Sequence, residues 1–150
     1  MGAALNIAIT GHRKLFERDR SIVIERVRRF RDEGVGAVFV GGALGVDTLV
    51  VETLLDQERH PTIVTVVPCR IDDQPIAVRA ILRRSDQIIE LGIPITDRDG
   101  WQAYKVRNQY MVDHCDRLVA FHNGSTQSGT WSTMHYANRI GRPVEVVGIS

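Results

Sequence analysis

Cysteine is scarce in this chain: two residues in 150, Cys69 and Cys115. Neither belongs to a CxxC pair or a Cys/His ligand spacing, so no zinc module and no disulfide framework can be read, and each is expected as a buried thiol. Charge of one sign is lacking too. The formal net charge of +1 gives no bulk attraction to nucleic acid or to a membrane surface. Aromatic residues make up only 6%, which is thin for the stacking surface that sequence-independent binding of single strands requires. No apolar run approaches the length of a membrane span. The opening MGAALNIAIT has neither the charged region nor the apolar stretch of a signal peptide, so a cytoplasmic location is expected. His114 and His135 have no ligand spacing with another metal-binding residue, and no metal site is expected.

Present instead is a regular alternation of short apolar runs and amphipathic segments. Leu5–Thr10, Ala37–Val40, Thr62–Val67, Gln87–Leu91, Arg117–Phe121 and Val144–Val147 read as strands. Between them, helices are expected over Glu17–Arg31, from the GGALGVD turn to about Gln57, and over Ala77–Arg84, Trp101–Cys115 and Gly129–Ile140. Val23, Val27 and Phe30 mark the buried stripe of the first; Val46, Leu49, Val50, Thr53 and Leu54 mark that of the second. The strands are continuously apolar rather than alternating, as in a parallel sheet covered on both faces. The expectation is one α/β domain spanning residues 1–150, with a doubly wound, mainly parallel, Rossmann-like sheet in a three-layer sandwich. Arg26, Arg28, Arg29 and Arg31, and likewise Arg83 and Arg84, are expected on solvated helix faces. Gly92–Gly100, with Pro94 and three charged residues, is the least regular stretch and a candidate lid or ligand contact.

Three strand-to-helix turns carry the candidate chemistry, because ligands of open parallel sheets bind at the carboxyl ends of the strands. In the first, Gly11 permits close backbone approach, and His12 and Arg13 can reach an anion. The second, GGALGVD, removes Cβ atoms at Gly41, Gly42 and Gly45 around Ala43. Its Asp47 either caps the following helix or binds a ribose hydroxyl. With no Lys-Ser/Thr after the glycines, it is not a Walker sequence. The third turn, Asn123 to Thr130, offers Ser128, Gly129 and Thr130 at a helix start, with Thr133 one turn further on. Helix N-termini carry unpaired N–H donors and partial positive charge, which suits phosphate. Arg107, beside Asn108, either grips phosphate or pairs with Asp113 or Asp116. Trp101, Tyr104 and Trp131 are read either as stacking partners for a base or as packing.

These motifs resemble the superfamily that unites the DNA-processing protein DprA/Smf with the LOG cytokinin-activating enzymes. GGALGVD is similar to the SGGAxGID turn of DprA. SGTWSTMHYA (Ser128–Ala137) is similar to its SGSxxTAxxA segment, and RNQYMVDHCD to both RNRxIxxxS of DprA and RKxxMxxxxD of LOG. The early TGHR turn resembles small stand-alone members related to YpsA/YspA. The resemblance implies a Rossmann-like module that binds a nucleotide or a nucleotide-derived small molecule, such as a nucleoside monophosphate or an ADP-ribose- or NAD-related ligand. The implied role is that of a sensor or a sequestering protein, often dimeric. Two other outcomes are implied. A LOG-type phosphoribohydrolase would cleave the glycosidic bond of a nucleoside 5′-monophosphate, but the LOG glutamate position holds Thr133 and the LOG lysine is replaced by Asn108. Asp47 and Glu52 are the weak catalytic candidates left nearby. A DprA-type activity would bind single-stranded DNA.

Overall fold

The computed structural model describes residues 4–95 and 100–150. Six strands form one parallel sheet: β1 (Leu5–Gly11), β2 (Val35–Val40), β3 (Thr62–Val67), β4 (Gln87–Glu90), β5 (Arg117–His122) and β6 (Val144–Gly148), in the order β4-β3-β2-β1-β5-β6. Five α-helices join them: α1 (Arg20–Arg28), α2 (Val46–Leu55), α3 (Ile76–Leu82), α4 (Trp101–Asp113) and α5 (Gly129–Arg139). The first expected helix is split, with 3-10 turns at Glu17–Asp19 and Arg29–Glu33 flanking α1.

Right-handed crossovers decide which face each helix covers. The chain moves outward from β1 through β4, then jumps back past β1 to β5, and the helices change face at that reversal. On one face Ile7, Ile9, Val38, Val40, Ile63, Val119 and Phe121 pack with Val23, Val27 and Phe30 of the α1 segment and with Val46, Leu49, Val50, Val51 and Leu54 of α2. On the other, Ala8, Phe39, Val64, Val66, Leu118 and Ala120 meet Met111 and Val112 of α4, Cys115, and Met134 and Ala137 of α5. Residues adjacent along each strand thus go to opposite cores, which is why the strands read as unbroken apolar runs.

The solvated-face expectation fails for Arg26. That residue is 3% exposed. It donates to both carboxylate oxygens of Glu145 on β6 (2.5 and 2.8 Å) and to Glu33 (2.6 Å), tying α1 to the sheet edge. Local patterning could not have found Glu145, which lies 119 residues away. Arg28, Arg29, Arg31, Arg83 and Arg84 are exposed as expected. Cys115 is buried, but Cys69 is only half-buried because it sits past the end of β3, where no helix covers it. Of the expected lid, residues 96–99 lie outside the described residues. Among the described residues no helix is long and apolar enough to cross a membrane.

Candidate functional site

The order of strands reverses between β1 and β5, and the crevice of an open α/β sheet opens at such a point. There the carboxyl ends of β1, β2 and β5 meet α4 and the start of α5 around a cleft of about 590 Å³, a usual size for a small-ligand site. Eleven of the residues singled out from the sequence line it: Gly11, His12, Arg13, Gly41, Ala43, Asp47, Arg107, Asn108, Ser128, Gly129 and Thr130. Others lie elsewhere. Gly42 backs onto Leu82, Val67 and Thr65, behind the turn. Gly45 packs under the first turn, and its αL backbone (φ +80°) leaves no room for a Cβ beside the carbonyl oxygens of Arg13 and His12. Val46 N–H donates to the His12 carbonyl across the same seam (3.2 Å), so the first two turns form one unit. Thr133 turns its hydroxyl back onto the Gly129 carbonyl (2.7 Å). Glu52 is exposed and borders a separate depression with Arg20 and Leu44.

Arg107 is the centre of the cleft wall. It rises from α4 and is 5% exposed. Its Nη1 donates to the carbonyls of Gly41, at the end of β2, and of Val66 on β3 (3.4 Å). Nε donates to Asn108 Oδ1 (2.7 Å). Nη2 has no hydrogen-bond partner among the described residues. A Cβ on Gly41 would stand 2.6 Å from the guanidinium carbon, so glycine is what lets this cation lie against the β2 end. The alternative pairing with Asp113 or Asp116 does not form: Asp113 accepts from the Tyr136 hydroxyl (2.6 Å) and Asp116 from Asn6 N–H (2.8 Å).

Asp47 supplies the opposing charge. Its carboxylate is 7% exposed; Oδ2 accepts from Ala43 N–H (3.2 Å), while Oδ1 is enclosed and makes no hydrogen bond. Burial pushes the carboxyl above its ordinary range, and Arg107 pulls it back. Burial likewise pulls the Arg107 guanidinium down against the attraction of Asp47, yet arginine stays a cation at any physiological pH. Asp47 does not cap α2, whose N-cap is Gly45.

The lips carry the remaining groups. His12 Nε2 accepts from Asn123 N–H (3.1 Å), bridging the β1 and β5 turns. Burial, and then His122, lower the His12 pKa, favouring the neutral ring that this bond requires. Ser128 caps α5 by accepting from Trp131 N–H (3.1 Å), so the N–H groups of Gly129 and Thr130 remain for a ligand. The Tyr104 ring faces two guanidiniums, Arg13 at 4.7 Å and Arg107 at 5.3 Å from its centroid. Lys14 and Phe16 also line the cleft and were not anticipated. Lys14 directly follows TGHR and was legible by position, whereas nothing local marks Phe16. Among the described residues no group of three or more His, Cys, Asp or Glu could hold a metal ion.

A parallel doubly wound sheet with a basic cleft at its switch point defines a Rossmann-like ligand-binding module. A family model, DNA recombination-mediator protein A, matches residues 2–149, and the chain belongs to that family. Among solved structures it is similar to DNA processing protein A of Helicobacter pylori, which has a described single-stranded DNA binding mode: 22% identity and TM-score 0.75, over 96% of this chain and 65% of that one. It is also similar to DNA processing protein A of Streptococcus pneumoniae, at 17% identity and TM-score 0.80, over 98% of this chain and 51% of that one. A third similar structure is the molybdenum cofactor carrier protein of Chlamydomonas reinhardtii, at 19% identity and TM-score 0.65, over 95% and 76%. This chain therefore spans about two thirds and one half of the two DNA-processing proteins. At these identities the likeness establishes the fold alone. No curated protein matches the sequence.

Proposed function

We propose that the cleft binds the phosphate of a nucleotide or nucleotide-derived molecule and leaves it chemically unchanged. The observation that carries this reading is Arg107, a buried cation held by two backbone carbonyls and Asn108 with one guanidinium nitrogen uncommitted. Such an arm is pre-organised for an oxyanion and loses little freedom on binding. The open N-terminus of α5 and the exposed Arg13 and Lys14 add to the attraction. Cleavage of a glycosidic bond is disfavoured by the acids available. Asp47 is the one carboxylate lining the cleft among the described residues, and its Oδ1 is shut away from the cleft space; a general acid must reach its target directly or through one water.

Binding of single-stranded nucleic acid is the second reading. It is favoured by membership of the DNA recombination-mediator family and by the exposed lip, where Lys14 and Arg18 lie over the Phe16 ring at 5.1 and 4.6 Å. Titration calorimetry with AMP, adenosine and an oligothymidylate separates the readings. AMP is expected to bind at least about tenfold more tightly than adenosine, the worth of one charge-assisted contact, with no free adenine after incubation. Equal affinities would overturn the phosphate reading. Tight binding of the oligomer alone, falling steeply with salt, would favour the second. Release of adenine would make the protein an enzyme.

A further inference from the structure

The geometry points to a site of two compartments, whose ligand is a pair of nucleosides joined through phosphate. This inference rests on the reading of the cleft as a phosphate site. Beyond Tyr104 lies a second, shallower depression of about 490 Å³, lined by Cys69, Asp73, Ile93, Pro94, Ile95, Gly100 and Tyr104 itself. Tyr104 is thus the partition, a wall of both spaces, with the Arg13 and Arg107 guanidiniums beside its ring.

The chemistry of the two sides differs. In the cleft lie three cationic side chains (Arg13, Lys14, Arg107), the open helix N-terminus and several amides and hydroxyls. The second side is mainly apolar, with a single carboxylate. Ile95 is 47% exposed there, which is costly for a large aliphatic side chain unless something flat covers it. Asp73 accepts from Arg70 N–H (3.2 Å) and Nε (3.5 Å) through Oδ2, and its Oδ1 makes no hydrogen bond among the described residues. A carboxylate repels phosphate but accepts from the amino or imino N–H of a heterocyclic base. Apolar walls, a tyrosine ring and one acceptor therefore suit a base, not an anion. With the cations at the partition, the connecting phosphate sits at Tyr104 and one nucleoside extends to each side. A mononucleotide fills half of this arrangement.

Calorimetry with AMP, diadenosine pyrophosphate, adenylyl-adenosine and an oligoadenylate, repeated with the guanine counterparts, tests the inference. A bridged dinucleotide is expected to bind about tenfold more tightly than the mononucleotide, from stacking of the second base. Ile95→Asp and Asp73→Ala, both at exposed positions, each remove that advantage and leave mononucleotide affinity within about twofold, whereas Arg107→Ala weakens both ligands. The pyrophosphate and phosphodiester compounds show which bridge is preferred. A dinucleotide that binds no better than the mononucleotide, or an advantage that survives both variants, overturns the two-compartment site and leaves the phosphate reading standing. Failure of every nucleotide to bind overturns both, and binding of the long oligomer alone replaces this inference with a nucleic-acid groove.

Discussion

Gly41→Ala separates the stability of the fold from the placement of its central cation. Gly41 does not use a left-handed backbone, so alanine is conformationally allowed there. The added methyl would stand 2.6 Å from both Cζ and Nη1 of Arg107, far inside van der Waals contact, and the guanidinium must move. It is the far end of a long side chain and can swing toward the cleft, so the cost to the fold is mainly its two backbone hydrogen bonds. Those losses of about 1 kcal/mol each are offset by the lower entropy of the unfolded alanine chain, about 0.4–1 kcal/mol. A net change near 1 kcal/mol lowers Tm by roughly 2–4 °C. Binding suffers more, because a displaced guanidinium forfeits its charge-assisted phosphate contact, worth ~1.5–3 kcal/mol or about 10- to 150-fold in Kd. Scanning fluorimetry and calorimetry with AMP read the two effects independently. Gly41→Ala in an Arg107→Ala background should cost no further affinity, since the shared contact is already gone. A folded Gly41→Ala protein that binds AMP like wild type would refute the placement of Arg107 at the ligand.

Gly45→Ala acts on stability instead. The αL backbone costs a residue with a Cβ about 1–2 kcal/mol, and the methyl also overlaps the Arg13 and His12 carbonyls; Tm should fall by more than about 4 °C, and an unchanged Tm would show that the first two turns are not fused. Glu145→Gln probes the buried Arg26 cluster through pH. Hydrogen bonding from Arg26 holds the Glu145 carboxyl below its ordinary range, so its stabilisation is complete above the unfolded pKa of about 4.3 and is lost as pH falls through the lower folded value. The variant should melt below wild type at neutral pH, with the gap closing in acid; a gap that stays constant down to about pH 2 counts against the pairing.

Much of this molecule is written in short stretches of chain. Each strand was legible as an apolar run between glycine, proline or charged punctuation, because a parallel strand buried on both faces leaves no polar alternation. The α2 and α5 starts were legible because a helix beginning at a strand end needs small residues and caps: Gly45 before α2, Ser128 before α5. Since every parallel strand ends at the same edge, the three turns could be assigned to one side of the sheet before any pairing was known. Which members of a turn face the cleft was not legible. Gly42 and Gly45 sit in the same motif as Gly41, yet they serve packing behind it, and Thr133 spends its hydroxyl within α5.

The remainder depended on strand order, which no window of a dozen residues contains. Placing β1 between β2 and β5 brings the His12 ring to Asn123, 111 residues away, and opens the cleft there. The crossover before α4 carries Arg107 over the ends of β2 and β3 to the carbonyl of Gly41, 66 residues earlier. The same order sets Glu145 on the edge strand against Arg26, turning an apparently solvated arginine into a buried one. Spacing along a chain encodes local conformation and the residue types a ligand class needs. The partner of a buried charge is chosen by the crossovers that decide which strands are neighbours.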